Sequence, residues 1–129
     1  MSQQQAEPQK VPTVLVSRPG IRREALRAVL ATVPWLEIGG TAGDGLTAIN
    51  LVQLHRPSLL VVDSNLLEDE ILALVKQVKE SWDHIRCLVF TDTASQQQKV
   101  LAGGADAALG RDGSARQLHE TLERFRQIV

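Results

Sequence analysis

Three runs of apolar residues constrain this chain more than anything else in it: Thr13 to Val16, Leu59 to Val62 and Cys87 to Phe90. Each is rich in Val, Leu or Phe and lacks the polar alternation of a strand with one wet face. Such runs are expected in strands buried on both faces, which is the situation of a parallel sheet covered by helices. Between them the period changes. Ile21, Ala25, Val29 and Val33, joined by Leu26 and Leu30, recur at helical spacing, with Arg22, Arg23 and Arg27 set away from that stripe. Ile71, Leu72, Val75 and Val78 form a second such stripe, and Leu118, Leu122, Phe125 and Ile128 a third.

The remaining elements fall between these. Pro12 marks a boundary before the first strand, Ser17-Arg18-Pro19-Gly20 is turn chemistry, and Pro34 ends the first helix. Leu36 to Thr41 reads as the second strand. Asp44 is placed to N-cap a helix from Gly45 to His55. A third helix covers 68–82. A short fourth runs from Ser95 to Ala102 and closes on Gly103-Gly104, where a left-handed cap is expected. Ala107 to Leu109 is a small fifth strand, and the last helix starts at Ser114. Five strands alternating with five helices imply an α/β, doubly wound, flavodoxin-like parallel sheet of order 2-1-3-4-5. In that architecture functional side chains gather beyond the carboxyl ends of the strands. Those ends present Ser17-Arg18, Asp63, Thr91 and Gly110-Arg111.

Composition excludes several alternatives. The 129 residues amount to one domain, read as 12–129, behind a polar leader over 1–11. Fourteen basic and fifteen acidic residues give a net charge of -1, which argues against direct nucleic-acid or membrane-surface binding. The one cysteine, Cys87, excludes an internal disulfide. It sits in a buried run and is expected to be inert. His55, His84 and His119 are dispersed and show no metal-ligand spacing. The run Gly39 to Gly45 lacks the lysine of a phosphate-binding loop and reads as a strand-to-helix turn. A cytoplasmic location is expected.

Several short pieces, in this order and spacing, resemble the receiver domains of two-component response regulators, CheY-like in fold. They are Ile21 to Leu26, Arg56-Pro57-Ser58-Leu59-Leu60-Val61-Val62-Asp63, Thr91, and Gly104-Ala105-Asp106-Ala107. The resemblance covers Val14 to Val129. It implies that Asp63 matches the aspartate that accepts a phosphoryl group from a histidine kinase, and that Thr91 matches the hydroxyl residue of the switch. The chain departs from the pattern in its chemistry. Where receivers carry two adjacent acids that hold Mg²⁺, this sequence has Ser17 and Arg18. The lysine after the fifth strand is Arg111, and the switch aromatic is Ala108.

Mg²⁺ prefers hard oxygen ligands, usually including carboxylates. Asp63, a neutral Ser17 and a cationic Arg18 make a poor set, so weak or absent Mg²⁺ binding and phosphorylation are expected. Arginine forks also match carboxylate and phosphate. The expectation is a non-enzymatic interaction module that binds a protein partner, either a histidine kinase or a downstream regulator. The face made by the fourth helix, fifth strand and fifth helix would serve for docking or for a homodimer. Two alternatives stay open. Asp63 could be phosphorylated despite the altered pocket, or Arg18 and Arg111 could line a sensor for an anionic metabolite. As a plain structural residue, Asp63 would be a turn or helix-cap carboxylate, and Thr91 and Arg111 ordinary loop-end side chains.

Overall fold

A computed structural model describes residues 10–111 and 113–128. Of the expected leader, residues 1–9 lie outside the described residues, and Val11 is the first residue of a strand. The elements alternate strictly. They are β1 (Val11–Val16), α1 (Ile21–Leu30), β2 (Leu36–Ala42), α2 (Gly45–His55), β3 (Leu59–Val62), α3 (Glu68–Ser81), β4 (Arg86–Thr91), α4 (Ala94–Ala102), β5 (Ala107–Gly110) and α5 (Ala115–Ile128). The five strands are parallel and ordered β2-β1-β3-β4-β5, as the apolar runs require.

Strand pleating sends alternate residues to opposite faces, and both faces are covered. Leu60, Val62, Cys87 and Val89 pack with α2, α3 and α4 through Val52, Ile71, Val75 and Val100. Leu59, Val61 and Leu88 pack on the other side with α1 and α5 through Leu30, Leu118, Leu122 and Phe125. β3 is buried at all four positions.

Local chemistry sets the boundaries. Asp44 caps α2, its Oδ1 accepting from the Thr47 N–H at 2.8 Å. Thr93 caps α4 through the Gln96 N–H at 3.0 Å. After α4, Gly104 takes the positive φ of 113°, a conformation that a side chain would strain. The register of β1 against β2 shifts between Thr13 and Val14, which leaves Gly39 as the extra residue of a bulge.

Two expectations are corrected. Pro12 lies inside β1 instead of before it. Its carbonyl accepts from the Ser58 N–H on the β3 side, and the β1–β3 ladder starts one residue later, at Thr13. The missing N–H therefore costs no ladder bond. In α1 the inward stripe is narrower than the periodicity implies. Leu30 is fully buried, but Ile21 is 88% and Val29 40% exposed. The helix stops at Leu30, so Val33 and Pro34 lie beyond it, and Pro34 disfavours the helical region only for Val33.

Candidate functional site

The carboxyl ends of β1 and β3 set two polar side chains next to each other. The Ser17 N–H donates to Ala42 O and the Asp63 N–H to Val16 O, at 2.8 and 2.9 Å. Both residues are thus fixed by ladder bonds at the sheet's end, and both are almost fully buried. The Ser17 hydroxyl donates to Asp63 Oδ2 at 3.0 Å. The other carboxylate oxygen, Oδ1, accepts from the Ser64 N–H at 2.7 Å, Arg111 Nη1 at 3.0 Å and Arg22 Nη2 at 3.3 Å. Burying a carboxylate is expensive unless it is paired and hydrogen-bonded, and Asp63 is both. One carboxylate faces two guanidinium groups directly.

Each arginine arrives from a different element. Arg111 follows β5 and is anchored by its own N–H on Thr91 O at 3.0 Å. Arg22 comes from the first turn of α1 and also donates to Ser64 Oγ at 2.7 Å. Ser64 in turn donates to Asp92 Oδ1 at 3.0 Å. Arg23 closes over the end of β1, with Nε and Nη2 on the Ser17 carbonyl at 2.8 and 2.6 Å.

Of the five residues singled out in the sequence, Asp63, Ser17 and Arg111 come together. Arg18 does not join them. Its side chain is exposed, and its contribution is a backbone N–H to Asn65 Oδ1 at 3.1 Å. The second cation on Asp63 is Arg22. Thr91 ends β4 as expected and is buried, but its hydroxyl donates to Leu109 O at 3.4 Å, with no contact to the carboxylate. Sequence reasoning also passed over Ser64, Asn65 and Asp92. Asn65 Nδ2 donates to Ser17 Oγ at 3.1 Å. A run of arginines in the first turn after a strand end was a signal for Arg22. Helical phase marked it only as pointing away from the core.

Both oxygens of Asp63 are engaged by groups of the protein itself. Arg22 and Arg111 are already seated on Oδ1, and the Ser17 hydroxyl donates to Oδ2. Among the described residues no group of three or more His, Cys, Asp or Glu is placed to hold a metal ion.

A cleft of about 210 Å³ opens beside the cluster, between α1 and α5. Arg22, Arg111 and Asp63 form its polar end, and Leu26, Val29, Phe90, Leu109 and Leu118 line its apolar walls. On the opposite face of the sheet, burial pushes the Cys87 thiol up to about 12, as expected for an inert cysteine. No helix among the described residues is long and apolar enough to cross a membrane.

No family model matches the chain. Among curated proteins it is 24% identical over 122 residues to the transcriptional regulatory protein DegU of Brevibacillus brevis, covering 93% of this chain and 52% of that protein. It is 26% identical over 103 residues to the uncharacterized transcriptional regulatory protein YhcZ of Bacillus subtilis, covering 78% of this chain and 48% of that one. The chain therefore spans about half the length of the curated relatives it matches. Among solved structures it matches the signal receiver domain of the response regulator NarL from Mycobacterium tuberculosis, with TM-score 0.80, 20% identity, and 93% of this chain and 98% of that one covered. It matches the isolated receiver domain of RcsB from Salmonella enterica serovar Typhimurium, with TM-score 0.79, 17% identity, and 92% and 89% covered. A LuxR-family response regulator from Aurantimonas sp. SI85-9A1 gives TM-score 0.82, 20% identity, and 92% and 86% covered. Strand order, the two helical layers and these matches agree: the chain has the fold of a response-regulator receiver domain.

Proposed function

We propose that this chain is a cytoplasmic receiver-type module of a two-component pathway that works by binding a protein partner, with Asp63 held by arginine instead of serving as a ready phosphoacceptor. The observation that carries this reading is the engagement of both carboxylate oxygens. Arg22, Arg111 and the Ser64 N–H occupy Oδ1, and the Ser17 hydroxyl occupies Oδ2. Phosphoryl transfer relies on positioning and on electrostatic stabilisation of spread negative charge. In this pocket the nucleophile is masked, and of the two positions that hold Mg²⁺ in receivers one is the neutral Ser17 and the other, Arg18, lies outside with its side chain exposed. The partner would be a kinase or a downstream regulator, and the surface of α4, β5 and α5 is the first place to test for docking or a homodimer.

The test is incubation with acetyl phosphate, and separately with beryllofluoride, in the presence of Mg²⁺. The expected result is an intact mass without a stoichiometric adduct and melting unchanged by beryllofluoride. A stoichiometric adduct on Asp63 overturns the reading. A second reading draws on the same two arginines: a phosphoryl group on Asp63 would meet Arg22 and Arg111, which could stand in for the metal charge. Under that reading the adduct forms equally well in EDTA.

A further inference from the structure

We propose that the cleft between α1 and α5 is a binding site for a small amphiphilic anion, an aromatic or branched-aliphatic body carrying one carboxylate or phosphate group. The proposal deepens the reading above, because it rests on Arg22 and Arg111 being the cations that hold Asp63.

Three features of the cleft point to this ligand class. The first is charge. Arg22 and Arg111 share a single carboxylate oxygen, so their positive charge exceeds what Asp63 alone neutralises; Asp92 reaches Arg22 only through the Ser64 hydroxyl and does not line the cleft. Among the described residues, side-chain hydrogen bonds use only Nη2 of Arg22 and only Nη1 of Arg111. The remaining donors of each fork have no hydrogen-bond partner among the described residues, and the side chains are 42% and 35% exposed. A guanidinium fork pairs well with carboxylate and phosphate oxygens.

The second feature is the wall. Leu26, Phe90 and Leu109 are only half-buried members of the core on this side, and Val29 is exposed. These side chains, with Leu118, leave apolar surface facing the cleft. A few polar groups at one end of an apolar pocket is the usual form of a small-molecule site. The third is size. An apolar void of about 150 Å³ accepts benzene, so a cleft of about 210 Å³ takes one ring and a short anionic arm. Ser114, which caps α5 through the Gln117 N–H at 3.2 Å, also lines the cleft together with Ala115 and Gln117.

The probes are phenyl phosphate and phenylacetate, against inorganic phosphate (charge without a ring) and benzyl alcohol (a ring without charge). Binding is followed on the whole chain, without phosphodonor, by amide NMR shifts and thermal stability. The expected result is saturable binding of phenyl phosphate or phenylacetate, mapped to α1, β5 and the start of α5. Inorganic phosphate and benzyl alcohol should bind at least about tenfold more weakly, since each lacks one half of the match. Arg111→Gln should weaken binding by about tenfold, the loss of one charge-assisted contact. Ala25→Trp, which fills the cleft and leaves both arginines in place, should abolish it with the melting temperature kept. No saturation by either amphiphile, equal binding of inorganic phosphate, or shifts mapping elsewhere overturns the proposal. So does binding that survives Ala25→Trp in a folded protein. An acetyl phosphate adduct on Asp63 would end the earlier reading alone, because the cleft is titrated without phosphodonor.

Discussion

Two carboxylates in this fold each face two cations, at opposite ends of the sheet, and they have been put to different uses. Asp106, just before β5, binds Lys79 at 3.0 Å and Arg86 at 3.5 Å. Asp63, just after β3, binds Arg111 at 3.0 Å and Arg22 at 3.3 Å. Arg86 Nε is buried without a partner among the described residues, but the Lys79 pairing of Asp106 is closed on the protein itself. Its Oδ2 also takes the Cys87 N–H at 2.8 Å, and Lys79 gives its other donors to the carbonyls of Asp83 and Ile85 at 3.1 and 2.9 Å. All three Lys79 hydrogens are thereby used, and the cluster ties the end of α3 to the starts of β4 and β5. At Asp63 the carboxylate is deeper, 2% exposed against 19%, yet its arginines are about twice as exposed as Lys79. They face a cleft instead of a turn. Equal numbers of charges make a staple where the donors end on backbone carbonyls, and a pocket where they do not.

The comparison breaks most visibly through stability. Asp106→Ala removes a backbone partner and two ion-pair partners at once, and should cost about 3 kcal/mol in urea unfolding. Cys87 reports the same event. Its thiol is buried and pushed up to about 12, so only opened molecules react, and Asp106→Ala should speed its alkylation about 100-fold. If Asp63→Asn opened Cys87 as much, the two ends would not be distinct.

A smaller effect sharpens the pocket side. Ser17→Asp places a second carboxylate against Asp63, where the hydroxyl now sits at 3.0 Å. Like charges at that range repel, and about 2 kcal/mol of stability should be lost in EDTA. Part of it should return in millimolar Mg²⁺, since two carboxylates begin to make a hard-oxygen site. A melt with and without the metal checks both signs. Asp63→Asn should cost less, about 1 kcal/mol, because the freed arginines are already half in water and rehydrate.

The smallest effect belongs to a carboxylate that is only a cap. Thr47 hydrogen bonds, chiefly from its backbone N–H, hold the Asp44 carboxyl below the ordinary aspartate value of 3.8. A depressed folded-state value means that the cap stabilises α2 above the ordinary value and loses that contribution as pH falls through its own. A carboxyl NMR titration should show Asp44 protonating at lower pH than an unpaired aspartate. Protonation at or above the ordinary value would mean the cap is not formed in solution.

Much of this was legible residue by residue. Leu59 to Val62 is a run that can only be satisfied by burial on two faces, and it is buried throughout. Asp44 and Gly45 announced the start of α2 because capping is a contact within four residues. The site was legible where it follows from strand ends: Ser17, Asp63 and Arg111 meet because parallel strands finish side by side. It was not legible where it depends on direction. Arg18 and Arg22 are both arginines within a turn of the end of β1, and nothing local says which returns to the carboxylate. The backbone between them turns through Gly20 at φ 140°, which leaves Arg18 outside and brings the first turn of α1 over Asp63.

The sequence by itself thus determined the alternation, the parallel sheet and the strand ends at which Ser17, Asp63 and Arg111 meet, because apolar periodicity and caps are short-range signals. Only the tertiary structure decided which cations own Asp63, that Thr91 turns to a carbonyl instead, and that a cleft lies beside the arginines. Those are distances between side chains as many as 48 positions apart, set by how helices pack on the sheet and not by any spacing along the chain.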